Sequence, residues 1–118
     1  MGFREHVELE IEPDGDGASL VVVEAGQQHL NPGGTVHGGV LATMIDVAMG
    51  TAVATTGGES PVTVSLAVTY LEPGREGRLE ARARVRKRGS RLMVVEAEVV
   101  QDGDVVADAL GTFSVKPG

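Results

Sequence analysis

Apolar and polar residues alternate along most of this sequence with the period of two that a half-buried β-strand produces. Turn-forming residues divide the alternating stretches, most clearly the cluster from Pro13 to Gly17 and the pair Asp102-Gly103, a strong signal for a two-residue hairpin. The pattern therefore predicts six strands joined largely by hairpins. They cover residues 7–11, 19–24, 62–70, 79–88, 92–101 and 105–115.

One segment, from Gly38 to about Thr56, breaks this alternation. Its apolar residues occur nearly all round a helical projection, which is typical of a helix buried on most sides. Such a helix would be about 28 Å long, and Gly57-Gly58 would end it. Two strands, one long helix and four strands predict a single domain over residues 1–118, of the α+β class, in which an antiparallel sheet wraps around a central helix.

The composition narrows the possible functions. The 118 residues include no cysteine, which excludes disulfides, a cysteine nucleophile and thiolate metal sites. The charged start from Met1 to His6 has no apolar signal region, and no apolar run of about 20 residues is apparent that could cross a membrane. With a net charge of −7, the chain is expected to be a cytoplasmic protein that binds neither nucleic acid nor membranes.

The positive charges are concentrated in one window, from Arg75 to Arg91. This window holds eight of the ten Lys and Arg residues and only two acidic residues, so its net charge is about +6. Two interpretations are open: a binding site for an anionic ligand, or a solvated strand face with charged turns.

Asp46 is the only ionisable side chain between Gly38 and Gly58. It lies in the middle of the predicted helix, where burial of a carboxylate without partners is costly. The nearly complete apolar surroundings argue against a position on an exposed stripe. Either hydroxyls such as that of Thr43 satisfy this carboxylate, or it has a function.

His37-Gly38-Gly39 leads directly into the same helix. Backbone N–H groups at a glycine-rich helix start are unshielded and lie at the positive end of the helix dipole, which suits a developing oxyanion. The alternative is a tight turn that needs glycine. Asp46 lies about 13 Å along the axis from His37, so one subunit cannot easily bring both to the same reacting atom. If both take part, a second subunit must supply one of them.

The run from Asn31 to Asp46 resembles the signature of the PaaI-type hotdog-fold thioesterases. That family has an Asn six residues before a His-Gly-Gly and an Asp nine residues after the His, and both spacings occur here. The similarity extends through residues 62–73, 86–92 and 107–113, and covers nearly the whole chain after Glu24.

The resemblance implies a hotdog fold and hydrolysis of an acyl- or aryl-acyl-coenzyme A to the free acid and coenzyme A. It also implies a homodimer, often paired into a tetramer, with active sites between subunits. Coenzyme A would be part of the substrate, and no cofactor is implied.

By position in this signature, Asp46 would attack the thioester carbonyl or activate a water molecule. Gly38 and Gly39 would donate backbone N–H groups to the oxyanion, and His37 would position or polarise the carbonyl. Asn31 would orient the nucleophilic water, contributed together with His37 by the subunit opposite Asp46.

Two further assignments come from the resemblance. Thr63 falls where some relatives place a Ser or Thr beside the catalytic carboxylate, although a strand residue chosen for its β-propensity is the alternative. The basic window resembles the stretch that meets the phosphates of coenzyme A. Its implied binding residues are Arg86, Lys87, Arg88, Gly89, Ser90 and Arg91.

Two other functions stay open. Hotdog enoyl-CoA hydratases carry an Asp-x-Asn-Pro-x-His run, but here His29 and Gly34 stand at the Asp and His positions, which disfavours that activity. A non-catalytic acyl-CoA-binding module would leave Asp46 without a purpose and usually needs an output domain, for which the 118 residues leave no room. His6, His29 and His37 have no metal-ligand spacing, so no metal site is predicted.

Overall fold

The computed structural model describes residues 7–116 as one six-stranded antiparallel sheet and one long helix, α1 (Gly38–Thr55). The strands are β1 (Glu10–Pro13), β2 (Ala18–Ala25), β3 (Glu59–Tyr70), β4 (Gly77–Arg88), β5 (Leu92–Gln101) and β6 (Asp104–Lys116). The order across the sheet is β1-β2-β4-β5-β6-β3, so the strand that follows α1 becomes an edge strand. The predicted class and element order are confirmed, while the charged start from Met1 to His6 lies outside the described residues.

α1 packs across one face of the sheet, and this contact forms the core. Every second side chain is buried from Leu79 to Ala83 on β4 and throughout β5 from Met93, as the period-two pattern predicts. α1 does not bury its whole circumference, however. An open strip, made of Gly39, Thr43, Asp46 and Gly50, recurs every three to four residues along a less buried side. The buried residues of α1 are Leu41, Met44, Ile45, Val47, Ala48, Met49, Ala52 and Val53.

α1 ends where the sequence predicts. Gly57 adopts φ +88°, a left-handed conformation that glycine tolerates, and its N–H donates to the carbonyl of Ala54. One expectation needs correction: α1 is long and apolar enough, by length and composition alone, to cross a membrane. Its packing against the sheet accounts for that composition, because a core helix also needs many apolar residues.

The first strand begins later than predicted. The alternation started at Val7, but β1 starts at Glu10 because Glu8 adopts φ +64°, which interrupts extended backbone. Val7 is nevertheless buried, and its carbonyl lies 2.9 Å from Nε2 of the buried His29. The apolar residue therefore packs near the loop before α1 rather than in the sheet.

A β-bulge in β4 corrects the predicted arginine face. Arg82, Arg84, Arg86 and Arg88 alternate in sequence, which placed all four on one face. The pairing with β5 shifts between Val85 and Lys87, so that Arg88 pairs with Met93, whose side chain is buried on the helix side. Because side-chain direction alternates along a strand, this shift turns Arg88 away from the other three.

β3 is a long edge strand with apolar side chains in the open. One edge pairs with β6, and the other edge pairs with no strand within residues 7–116. Val62 is 60% exposed and Val64 is 59% exposed, and Tyr70 at the end of the strand is 52% exposed. A long, apolar, unpaired edge is a template for association with another strand.

Candidate active site

Asp46 lies on the open strip of α1, where the helix runs beside β3. Its side chain is half-buried rather than enclosed in the core, which corrects the expectation from the sequence. Some of the apolar residues that surround Asp46 in a helical projection face the sheet, and the others lie along the two edges of the open strip. A carboxylate in this position keeps access to solvent or to a ligand.

Thr63 on β3 holds this carboxylate. Its hydroxyl donates a hydrogen bond of 2.6 Å to Oδ1 of Asp46. Thr43, the partner considered from the sequence, instead donates to the carbonyl of Gly39 at 2.7 Å. Hydrogen bonds to a charged acceptor are among the stronger ones, so the bond from Thr63 orients the carboxyl group through Oδ1.

His37 is the N-cap of α1, and its ring is fixed by the backbone. The N–H of Gly39 donates to Nδ1 of His37 at 2.9 Å. A nitrogen that accepts carries no proton, so the neutral ring holds its proton on Nε2, where it can donate to a ligand. The side chain of His37 is exposed.

The two glycines differ in what they can offer an oxyanion. The N–H of Gly39 is already occupied by His37, so it is not a free donor in this conformation. The N–H of Gly38 makes no hydrogen bond within the described part of the chain. Gly38 is therefore the donor that the helix start presents.

Asn31 is committed to its own loop. Its side-chain oxygen accepts from the N–H groups of Gly33 at 3.1 Å and Thr35 at 3.3 Å, and its amide nitrogen donates to the hydroxyl of Thr35 at 3.0 Å. These bonds shape the turn that leads to His37, a use of Asn that does not require a substrate. Its role in orienting water stays a prediction.

The structure therefore divides the predicted residues into two groups. Thr63 and Asp46 meet at the middle of α1, whereas His37 and Gly38 lie at its start, about 13 Å away along the axis. One chain does not bring the groups together.

Tyr70 is a residue of this region that sequence reasoning missed. Its hydroxyl donates to the carbonyl of Gly38 at 3.0 Å, and its ring lies against the α-carbon of that glycine. It also lines a cleft of about 330 Å³ beside the helix start, together with Val36, Leu41 and Leu71. The available signal was that Tyr70 is the only tyrosine and ends a strand otherwise rich in small and aliphatic residues.

Most of the basic window is neutralised by ion pairs. Arg75 pairs with Asp102, Arg86 with Glu96 and Arg88 with Asp16. These pairs favour the solvated-face interpretation for much of the window.

Glu80 likewise neutralises arginines of the basic window, on β4. The hydrogen bond from Arg78 is the main reason that the pKa of Glu80 lies below its usual value, and Arg82 lowers it further despite partial desolvation. This carboxylate and its two arginines lie on the outer face of β4, where Arg78 also pairs with Glu24 of β2.

Two cations of the predicted phosphate site have no acidic partner within residues 7–116. Lys87 and Arg91 are exposed and flank the β4–β5 turn, in which Ser90 is also exposed. Gly89 is required there, because a side chain would meet the carbonyl oxygen of Leu92 at 2.4 Å. This basic turn, residues 87–91, lies near the end of α1. Its Arg88 binds Asp16, and the N–H of the adjacent Gly17 donates to Oγ1 of Thr55 at 2.7 Å.

The histidines and carboxylates of residues 7–116 do not suggest a metal centre. The described residues contain no group of three or more His, Asp and Glu side chains placed to hold a metal ion. His29 is buried and bonded to backbone groups, whereas His6 lies outside the described residues.

The model of the Thioesterase superfamily matches residues 33–107. The chain belongs to this superfamily. A candidate esterase of Pseudomonas aeruginosa, PA0474, is 38% identical over 98 residues, which are 80% of this chain and 72% of that protein.

Solved structures are also similar over nearly the whole chain. The conserved protein PA5202 from Pseudomonas aeruginosa has a TM-score of 0.93 and 35% identity, covering 98% of this chain and 94% of that one. The PaaI protein from the phenylacetic acid degradation operon of E. coli has a TM-score of 0.90 and 28% identity, with 98% and 84% coverage. These findings confirm the hotdog fold and the PaaI-like resemblance, and the chain is a thioester hydrolase.

The hydrogen bond between Thr63 and Asp46 yields a prediction about this hydrolase. Thr63→Val keeps the branched shape but removes the donor, so we expect kcat for thioester hydrolysis to fall about ten-fold or more, because hydrogen bonds to charged groups are among the stronger ones. Thr63→Ser retains the hydroxyl and should keep most of the activity. Equal losses in the two variants, with folding unchanged by circular dichroism, would contradict the proposed orientation of Asp46.

Proposed function

We propose that this thioesterase hydrolyses an acyl- or aryl-acyl-coenzyme A with Asp46 as its catalytic carboxylate. The observation that carries the proposal is the Asp46 carboxylate held by Thr63 at 2.6 Å on the open strip of α1, beside an uncovered strand. A half-buried position on the open strip gives a carboxylate little stabilising value, whereas a catalytic carboxylate needs both a fixed orientation and access to substrate.

The complete site forms in a homodimer built through β3. An antiparallel pairing of two β3 edges would cover the exposed apolar residues of this strand and make a self-complementary interface. A two-fold axis at the centre of β3 would pass between Val64 and Ser65, about 5 Å from Thr63.

The same axis brings the two half-sites together. The midpoint between His37 and Asp46 lies about 7 Å from Asp46 along α1. The centre of β3 lies at a comparable distance from Thr63, about 5 Å. Because α1 and β3 are joined by a short turn and run in opposite directions, a two-fold rotation there faces His37 of one subunit toward Asp46 of the other. His37 and Asp46, which are far apart within one chain, would thus come from two chains to form one shared site.

The chemistry follows from these positions. The thioester carbonyl lies between the subunits, with its oxygen near the N–H of Gly38 and Nε2–H of His37. Negative charge that develops on this oxygen is stabilised at the positive end of the helix. Asp46 of the other subunit either takes a proton from an attacking water molecule or attacks the carbon itself. In the first route the C–S bond then breaks, the free acid leaves, and the thiolate of coenzyme A takes up the proton held by Asp46. In the second route cleavage of the C–S bond leaves the acyl group on Asp46 as a mixed anhydride. Water then hydrolyses this anhydride, which releases the free acid and restores Asp46, while the thiolate of coenzyme A takes up a proton.

The coenzyme A phosphates bind at the basic turn. Thr55, near this turn, lies nine residues or about 13 Å beyond Asp46, a gap that the flexible pantetheine arm would span. Lys87, Ser90 and Arg91 are exposed there, and cations without acidic partners are free to meet phosphate oxygens. The acyl group would occupy the cleft beside Gly38 and Tyr70.

The first test of this proposal is substitution of the carboxylate. Asp46→Asn removes the base but keeps the shape, so we expect kcat on a panel of acyl-CoA thioesters to fall by two or more orders of magnitude. Released thiol measures the reaction, and the chain contributes no thiol background because it contains no cysteine. Asp108→Asn is the matched control, since Asp108 is an exposed carboxylate on the outer face of β6.

Three outcomes of this assay are informative. Loss of activity in Asp46→Asn alone supports the proposal and gives the acyl preference. Full activity in Asp46→Asn rules out the role of this carboxylate. A parent protein that binds acyl-CoA but turns over none of the panel would favour a non-catalytic binding module.

Mixed dimers test whether the site is shared. His37→Ala and Asp46→Asn should each be nearly inactive as homodimers. After the two variants are mixed, unfolded and refolded together, half of the dimers are mixed, and each of these carries one intact site, so activity should return to about a quarter of the parent value. No recovery, with mixed dimers demonstrated by native mass spectrometry, would place both residues in one subunit's site.

The basic turn gives a prediction on substrate binding. Lys87→Gln combined with Arg91→Gln should raise KM for acyl-CoA about ten-fold, because charge-assisted phosphate contacts are lost. KM for the corresponding acyl-N-acetylcysteamine thioester, which has no phosphate, should not change. Arg84→Gln is the control, since Arg84 is exposed on the outer face of β4. Equal increases for both substrates would show that the turn does not bind phosphates.

A further inference from the structure

One peptide unit at the start of α1 is held from both ends. The carbonyl of Gly38 and the N–H of Gly39 belong to the same planar peptide group. The carbonyl accepts the hydroxyl of Tyr70 at 3.0 Å, and the N–H donates to Nδ1 of His37 at 2.9 Å. Tyr70 and His37 are therefore linked through a single rigid unit.

This link matters because two glycines flank it. Glycine has the widest choice of backbone angles, so a Gly-Gly peptide at a helix start can rotate more easily than any other. Rotation about its flanking bonds would swing the N–H away from the His37 ring. The hydroxyl of Tyr70 opposes that rotation, and a hydrogen bond accepted by the carbonyl also strengthens donation by the N–H of the same peptide.

Packing restrains Tyr70 itself. A Cβ on Gly38 would lie 3.4 Å from Cε1, Cζ and the hydroxyl oxygen of Tyr70, which shows that the ring rests directly on this glycine. Tyr70 also lies in regular β-structure, where its Cα pairs with Ala107 of β6. The donor is thus carried by the sheet, while the acceptor is carried by the helix.

We propose that Tyr70 is a positioning residue that acts on His37 through the Gly38–Gly39 peptide. By fixing this peptide, it keeps the N–H of Gly39 on Nδ1, and so keeps the proton of the neutral ring on Nε2 and directs it toward the reacting carbonyl. The role in turnover rests on the proposed function of His37, but the hydrogen-bond link itself does not.

The link can be measured without substrate. Tyr70→Phe keeps the ring and removes only the hydroxyl. We expect the amide of Gly39 to exchange with solvent about five-fold faster in this variant, as loss of one neutral hydrogen bond implies. The scalar coupling across the hydrogen bond between Gly39 and Nδ1 of His37 should weaken in the same nitrogen-15 spectra.

Thr56→Val provides a matched control. It removes another hydroxyl that donates to a backbone carbonyl of α1, that of Val53 at 2.7 Å, but at the opposite end of the helix. Exchange at Gly39 should be unchanged there. If Tyr70→Phe leaves both the exchange rate and the coupling as in the parent protein, the proposal is wrong.

A double-mutant cycle tests the consequence for turnover. Tyr70→Phe should lower kcat about five-fold while KM changes less than two-fold. In a His37→Ala background the same change should have almost no further effect, because the hydroxyl that it removes acts only through His37, and the ring that lines the cleft is kept. An additive loss would show that Tyr70 acts elsewhere and would overturn the proposal. A parent protein with no turnover would instead contradict the proposed function, and the exchange measurement would still decide on the link.

Discussion

The contact between α1 and the inner face of the sheet is the interaction on which the other features depend. Because the sheet covers only part of the helix, the helix buries Met44, Ile45 and Ala48 and leaves the open strip beside β3. The apolar contact supplies most of the stability, so the strip is free to carry a carboxylate. The same contact fixes where the helix starts and ends, and therefore the spacing between the backbone donor at Gly38 and the carboxylate of Asp46.

The site is divided between the start and the middle of α1 because one helix supplies both the backbone donor and the carboxylate. The helix start offers an unpaired N–H and a positive dipole end, which no mid-helix position can offer. The middle of the helix offers rigidity and a neighbouring strand from which Thr63 can orient a carboxylate. A reacting carbonyl needs both within a few ångströms, and a two-fold pairing of the exposed edge of β3 supplies them from different chains. Catalysis then requires that two chains associate through β3.

Periodicity predicted the elements well, and the side-chain environment poorly. The helix ended within one residue of the predicted position, and the Asp102-Gly103 turn formed as expected, because these signals are local. The burial of Asp46 was predicted wrongly, since hydrophobic residues around a helix do not reveal which side the sheet covers. Contacts such as those of Thr63 with Asp46 and Tyr70 with Gly38 join residues 17 and 32 positions apart, and only the tertiary fold decides them.

The basic window illustrates why charge in a sequence is weaker evidence than charge in a structure. Its net positive charge suggested an anion site, yet cross-strand neighbours such as Glu96 neutralise several arginines on the sheet. The bulge before Lys87 also turns Arg88 to the helix side, where Asp16 binds it. What remains for a phosphate is the short turn around Gly89, where the exposed Lys87 and Arg91 make no ion pair in the described chain. A phosphate that binds there displaces water and breaks no existing ion pair, which keeps the free-energy cost of binding low. Because few cations are free, they also limit the strength of binding.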